Sequence, residues 1–339
     1  MQNHITLIQK TFQEEARKAA ISMASGLLQR GEIVALPTET VYGLAANALD
    51  ARAVRKIFDA KKRPPTNPLI VHVTGIEMAK RYVLEWPKQA EILAKKFWPG
   101  PLSLVLRKSP EIPSEVTAGG DTVAIRSPKH PIFQDVIKAC NFPLAAPSAN
   151  RSNHISPTTA EHVQQSLKNN VPLIIDAGPC QVGIESTVID LTNPKKISIL
   201  RPGIISSDDI SLCLSEHINK EAEPSEILKS PGLLSHHYSP SKKLYLFAGQ
   251  DVGQLLKLVW EKGWSPPLCA LMTLSLQTGE AFSRIIQMPA TPKEYAKNLY
   301  KTLYVCEICQ VSAIFVELPP DTPAWQGVRD RLLRASYKE

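Results

Sequence analysis

The sequence predicts an α/β fold in two parts: an open mixed sheet over 1–205 and a smaller Rossmann-like α/β array over 242–339. Three observations lead there. Compact apolar runs alternate with stretches of helical period, the order expected of an α/β domain. At 339 residues the chain is long for one core, and 43% hydrophobic residues supply apolar material for two. Between the two parts, 206–241 is enriched in Ser, Glu, Lys and Pro, the composition of a linker.

The elements follow in order. Residues 5–29 read as a short strand and then a helix, because Ala16, Ala19, Ala20, Met23, Leu27 and Leu28 recur at helical spacing before a stop at Gly31. Apolar runs predict strands at 33–36, 69–73, 102–106, 123–125, 144–146, 173–176, 187–191 and 197–200. Helices fit 51–60, 75–81, 87–97, 131–140 and 158–167. The runs near Leu102 and Thr187 look antiparallel, which makes the sheet mixed. A weak helix at 208–218 falls in the linker. After Lys242 come a strand at 244–247, a helix at 252–260 and a strand at 268–274. A helix at 291–309 with Pro292 in its first turn, a strand at 313–318 and a helix at 326–334 complete the array.

The formal charge of +7 suits an anionic ligand, although the basic residues are dispersed and a plain basic surface explains the charge as well. Only 6% of residues are aromatic, too few to favour a stacking surface, so an RNA-binding module with a basic cavity is the weaker alternative. Cys306 and Cys309 form a C-x-x-C with no second Cys or His pair nearby, so no metal site is expected. Reduced thiols in a cytoplasmic protein are expected instead. The start of the chain is polar, and no run approaches the roughly 20 apolar residues of a membrane span, so neither a signal peptide nor a membrane anchor is expected.

Polar clusters stand at strand ends, where open α/β sheets bind ligands. In Pro37–Gly43, Thr38, Glu39 and Thr40 follow a buried strand; the threonines read either as helix caps or as groups for a zwitterion or phosphate. Lys61, Lys62 and Arg63 enter a proline-stiffened loop with Asn67, where Arg offers a planar fork to phosphate. His72 lies in the next strand and reads first as a core residue. Thr122 and Arg126 flank the strand at 123–125. Ser148, Asn150, Ser152 and Ser156 crowd the loop between Pro147 and Pro157, with Ser156 also placed to cap a helix. Ser186 and Arg201 close the set. If their strands are neighbours, Arg63, Arg126 and Arg201 converge, and convergent cations are costly unless an anion neutralises them. There is no P-loop, no dinucleotide fingerprint and no nucleophile elbow. The residues therefore reach an anionic ligand, a nucleotide first, with no covalent nucleophile, and do not name a reaction.

The motifs P-T-E-T-V-Y-G-L, K-R-P-P-T-N-P-L-I-V-H, W-P-G-P-L, V-A-I-R-S-P, P-S-A-N, S-P-T-T, G-I-E-S-T-V and L-R-P-G, in that order, resemble the YrdC-like domain of threonylcarbamoyl-AMP synthases. The segment S-P-G-L-L-S-H-H-Y-S-P from Ser230 to Pro240, with the region beyond it, resembles the long two-domain form of that family. The resemblance implies a twisted open sheet around a basic cavity. It also implies condensation of L-threonine, bicarbonate and ATP into threonylcarbamoyl-AMP with release of pyrophosphate, Mg²⁺ accompanying the ATP. Other proteins would then transfer the group to an adenosine beside the anticodon of certain tRNAs; direct tRNA binding is left open. By motif, Thr40, His72, Arg126, Ala146 and Ser186 would hold threonine, Arg126 through its carboxylate and Ala146 through its backbone. Arg63, Asn67, Thr122, Ser148, Asn150, Ser156 and Arg201 would hold the nucleotide, with Lys61 and Arg63 as the catalytic cations. His237 and Tyr238 match the family's H-Y pair in a linker that closes over the site. Lys62 and Asn153 replace common glycines, Ser239 replaces an alanine, and His236 is an uncommon neighbour. A related class that uses carbamoyl phosphate carries zinc and acylphosphatase-like segments that this chain lacks.

Overall fold

The structure, a computed structural model, describes residues 6–215, 228–232, 237–249, 251–275 and 282–338. The linker positions 216–227 and 233–236, His236 among them, and the first residue of the strand expected from position 5 lie outside the described residues.

The first region contains β1 (Leu7–Lys10), α1 (Glu14–Gln29), β2 (Val34–Leu36), β3 (Gly43–Asn47), α2 (Ala51–Lys61), β4 (Ile70–His72), α3 (Ile76–Lys80) and α4 (Lys88–Phe97). It continues with β5 (Leu102–Arg107), α5 (Ser114–Thr117), β6 (Thr122–Arg126), α6 (Pro131–Cys140), β7 (Leu144–Ala145), α7 (Ala160–Leu167), β8 (Leu173–Asp176), β9 (Thr187–Asp190), β10 (Ser198–Arg201) and α8 (Ser207–Leu214). The second region contains β11 (Lys243–Phe247), α9 (Val252–Glu261), β12 (Cys269–Thr273), β13 (Arg284–Gln287), α10 (Pro292–Ile308), β14 (Ala313–Glu317) and α11 (Gln326–Ala335).

The first sheet has ten strands in the order β1-β8-β2-β3-β7-β4-β6-β5-β9-β10 and is mixed, as its sequence suggests. The runs near Leu102 and Thr187 each have an antiparallel neighbour, β6 and β10, yet pair with each other in parallel. Helices α1 and α6 cover one face through Ala20, Ala24, Leu28, Phe133 and Ile137. The other face carries α2, α4, α7 and α8 over a larger apolar core. The helix expected in the linker is thus no part of a spacer. Its capping box, Ser206 with Asp209, starts α8, and Ile210 and Leu214 join the first core.

The second sheet is all parallel, in the order β11-β14-β12-β13. Its outer face is covered by α9 through Leu255 and Val259. Its inner face is covered by α10 and α11, and their apolar cluster extends to Val41, Ile155 and Ile184 of the first region. These two helices therefore stand between the second sheet and the first.

Three elements escape the sequence reading: β3, α5 and β13. The run Gly-Leu-Ala-Ala-Asn of β3 lacks the branched and aromatic residues that mark strands. Its small side chains are what the packing requires, since a Cβ at Gly43 would meet the Ala146 Cβ at 3.3 Å. No helix follows Pro37, so neither Thr38 nor Thr40 is a helix cap. Thr38 Oγ1 instead accepts the N–H groups of Thr40 (3.0 Å) and Val41 (3.1 Å), closing the turn between β2 and antiparallel β3. Ser156 is likewise not a helix cap. Thr159 caps α7, and its hydroxyl accepts the His162 N–H.

Candidate active site

Helix α2 carries the first cation. Val54, Ile57 and Phe58 form its buried stripe, and Lys61 falls one turn further on the same stripe. The ammonium is thereby driven inward and donates to the carbonyls of Ser148 and Asn150. Burial, with Arg63 close by, holds its pKa well below the usual lysine range. Lys61 does not line the central hollow; it ties the 148–150 loop to α2. The chain then turns at Lys62, which adopts φ 50°, and delivers Arg63.

The hollow encloses about 490 Å³ including its open mouth, between the ends of β2, β4, β6 and β9. Arg63, Arg126 and Arg201 all line it, and all three are buried. Convergence is thus met, but part of the neutralisation comes from the protein. Arg126 Nη2 donates to Glu39 Oε1 at 2.6 Å, Nη1 to Thr40 Oγ1 at 3.0 Å and Nε to Gly100 O at 3.1 Å. One N–H on each terminal nitrogen remains for a ligand. Glu39 Oε2 accepts the Lys129 N–H. His72 pairs with Arg126 in register between β4 and β6, and its ring lies 5.1 Å from Phe133. Burial, and then Arg126, lower its pKa to about 3, so the ring is neutral near pH 7.

On the far wall, Arg201 Nε and Nη2 both donate to Ser186 O (3.1 and 2.9 Å), and Nη1 donates to Pro231 O (3.1 Å). Ser186 Oγ lies 2.8 Å from Ser103 Oγ. Arg63 donates to the carbonyls of Asn67 and Pro68. Ser148 and Ala146 line the hollow; the Ala146 N–H is already given to Ile70 O, so a backbone contact from it would run through its carbonyl. His237 and Tyr238 also line it, with Tyr238 in the left-handed region at φ 63°. Their segment is tied to both regions: His237 N–H donates to Arg334 O and Ser239 N–H to Asn153 O.

Asn67, Thr122, Asn150 and Ser156 are buried but are not among the residues lining the hollow. The Ser156 hydroxyl donates to Glu185 Oε1, and Asn150 Nδ2 holds the carbonyls of Arg151 and His154. Several buried polar atoms find no hydrogen-bond partner among the described residues: both amide atoms of Asn67, Asn150 Oδ1, Nδ1 of His72 and His237, and the Tyr238 hydroxyl. Such groups are costly unless a ligand or water completes them.

The sequence reading assigns no role to Glu185, Tyr300 or Arg331. Glu185 lines the hollow and binds Arg331 Nε at 2.7 Å and the Tyr300 hydroxyl at 3.0 Å. Burial would raise its carboxyl, but Arg331, Arg201 and Ser156 together hold it down at about 2. The signal for Arg331 is a helical one, since it shares a face with buried Val328, Leu332 and Ala335.

Two family descriptions match the chain: "Telomere recombination", of the Sua5, YciO and YrdC group, over residues 26–203, and "Threonylcarbamoyl-AMP synthase, C-terminal domain" over 205–336. The chain is 38% identical to the threonylcarbamoyl-AMP synthase of Pyrococcus abyssi, covering 95% of this chain and 96% of that one. The chain belongs to the two-domain Sua5/YrdC-type threonylcarbamoyl-AMP synthase family. The Bacillus subtilis member is 37% identical over 93% of this chain and 92% of its own. The crystal structure of Pyrococcus abyssi Sua5 complexed with L-threonine superposes with a TM-score of 0.87 at 37% identity, covering 98% of this chain and 97% of that one. The family's two-part layout is the one seen here, a mixed sheet followed by a smaller α/β unit.

Proposed function

We propose that this chain condenses L-threonine, bicarbonate and ATP into L-threonylcarbamoyl-AMP, releasing pyrophosphate, to supply threonylcarbamoyl-adenosine modification of tRNA. The observation that carries the reading is the meeting of Arg63, Arg126 and Arg201 at one hollow flanked by unpartnered polar atoms. Threonine's carboxylate takes the two free N–H groups of Arg126, with Thr40, His72, Ser186 and the Ala146 carbonyl around its other groups. The nucleotide lies toward Arg63, Arg201 and Ser148, with Asn67, Thr122, Asn150 and Ser156 behind them and His237 and Tyr238 closing over it. Lys61 acts through the 148–150 loop that it holds.

The neutral amine of threonine, its ammonium proton lost to solvent, attacks bicarbonate with loss of water, or CO₂ with loss of a second proton to solvent, to give a carbamate. A carbamate oxygen then attacks the α-phosphorus in line, and pyrophosphate leaves. No side chain becomes covalently attached. The protein contributes position and fixed positive charge where phosphate charge develops. Mg²⁺ enters as part of the MgATP substrate. Among the described residues lining the hollow Glu185 is the single carboxylate and is already held by Arg331, so the protein would offer the ion little and the ATP would bring it in.

In this scheme the first region, with α8 packed on its core, performs the chemistry, His237 and Tyr238 close over it, and 242–339 supports it. The product passes to proteins that transfer the threonylcarbamoyl group to tRNA, and we place the reaction in the cytoplasm, where ATP, bicarbonate and tRNA meet. The test is pyrophosphate release with each substrate omitted in turn, followed by mass detection of the adenylate. Release that depends on all three substrates supports the assignment; equal release without threonine refutes it.

A further inference from the structure

We propose that Arg331 and Tyr300 of the second region are positioning residues for this reaction, setting the wall of the hollow formed by Glu185, Ser186 and Arg201. The proposal rests on the synthase reading above.

Two glycines show how closely the regions meet. A Cβ on Gly183 would lie 2.4 Å from Ala296 O of α10, and one on Gly327 of α11 would lie 2.5 Å from Gly203 O. Each close approach places a polar side chain one turn further along its helix: Tyr300 follows Ala296, and Arg331 follows Gly327. Both reach Glu185, where Arg331 Nε meets Oε2 at 2.7 Å and the Tyr300 hydroxyl meets the same oxygen at 3.0 Å.

The consequence lies in the backbone. Arg331 Nη2 donates to Glu185 O at 3.3 Å, while Arg201 donates twice to Ser186 O. Consecutive carbonyls are thus held by arginines from the two regions, and the Ser186 hydroxyl accepts a further contact from Arg201 Nη2 at 3.2 Å. Arg331 Nη1 also donates to Pro202 O at 2.8 Å, next to Arg201 itself. Its guanidinium stands 5.1 Å from the Tyr238 ring centroid. One buried guanidinium therefore bears on the threonine side, the nucleotide side and the closing segment at once. A lysine here keeps the charge opposite Glu185 and loses the fork that reaches Glu185 O and Pro202 O.

The experiment is steady-state pyrophosphate release by the full chain and by Arg331→Lys, Tyr300→Phe and Tyr304→Phe, each also followed by thermal unfolding. Tyr304 is the interface control. It lies on the same helix face and donates to Ile155 O at 3.1 Å, one residue before Ser156, and not to Glu185 itself. Misplacing a reacting group by about 1 Å costs on the order of 100-fold. Arg331→Lys should therefore lower kcat by roughly 10- to 100-fold, with the KM for ATP changed less than about threefold. Tyr300→Phe should lower kcat in the same direction by a smaller factor, and Tyr304→Phe should change stability and leave kcat in place. Unchanged kcat in Arg331→Lys, or an equal kcat loss in Tyr304→Phe, overturns the proposal. If Arg331→Lys does not fold, Tyr300→Phe against Tyr304→Phe decides in the same way. Absence of threonine-dependent release in the unaltered chain would instead refute the synthase reading.

Discussion

Replacing Arg126 by lysine tests the proposed role of its fork in holding threonine. Truncation to alanine would mix two effects, because Glu39, 4% exposed, would lose the partner that meets it at 2.6 Å. Breaking such a buried pair costs about 3–5 kcal/mol of stability. Lysine keeps the charge and gives up one arm of the fork. Arg126 has one N–H free on each terminal nitrogen once Glu39, Thr40 and Gly100 are satisfied. An ammonium that serves Glu39 can reach one carboxylate oxygen of threonine at best, so one charged hydrogen bond is lost, worth about 1.5–3 kcal/mol. That corresponds to a rise in threonine KM of roughly 10- to 150-fold. The kcat at saturating threonine and the KM for ATP should stay within about threefold. The assay is pyrophosphate release over a threonine titration, with thermal unfolding as the control for folding. A folded Arg126→Lys protein with unchanged threonine KM, or with the change in ATP KM instead, would refute this placement of the carboxylate.

Two further outcomes follow from the same geometry. His72 is buried with its pKa lowered to about 3 from an ordinary 6.5, so between those values the unfolded chain binds the extra proton. Its contribution is complete above about pH 6.5 and is lost as the pH falls toward 3. His72→Gln should flatten the decline of stability between pH 6 and 4 by up to about 1.4 kcal/mol per pH unit, read from denaturant midpoints across that range; an unchanged slope would contradict it. Lys62 is exposed at φ 50°, a conformation that strains any residue with a Cβ. Lys62→Gly should raise stability by about 0.5–1 kcal/mol, seen as a rise in thermal midpoint of roughly 1–3 °C, and a lower midpoint would show that the turn is not strained.

The strands were legible where burial on both faces leaves a continuous apolar run, as in β8 and β14. β3 was not, because its small residues answer to the close approach of Ala146 and Phe133, a tertiary demand that leaves no period in the sequence. Arg126 and Arg201 were legible as cations at the last position of β6 and β10. The resemblance also marked Lys62 and Asn153 as replacing glycines, and both adopt positive φ, 50° and 66°. Asparagine carries that conformation more easily than lysine does. The cap reading of Ser156 fails because a serine before a proline carries a cap signature whether or not a carboxylate waits for its hydroxyl; here Glu185 does. Arg331 was lost among Arg329 and Arg334, since surface charge is the default for an arginine on a helix. Lys61 and Arg331 share one readable mark, a long cation at the position of an apolar stripe where the helix must bury it.

The balance of charge leaves the arginines short of an anion even after Glu39 and Glu185 are counted. Glu39 answers Arg126, and Glu185 answers Arg331 with Arg201 close by. Arg63 is in a different position. Among the described residues its guanidinium meets only carbonyl oxygens, those of Asn67 and Pro68. Burial brings its pKa down to about 9, with Tyr238 opposing that shift and Arg201 adding to it. Neutral carbonyls cannot repay the desolvation of a full positive charge. A protein that buries an arginine on those terms has left its counter-charge to come from outside. We therefore propose the beginning of the basic loop after α2, beside the unpartnered Asn67 amide, as the place where the phosphates of a nucleotide gain most from binding.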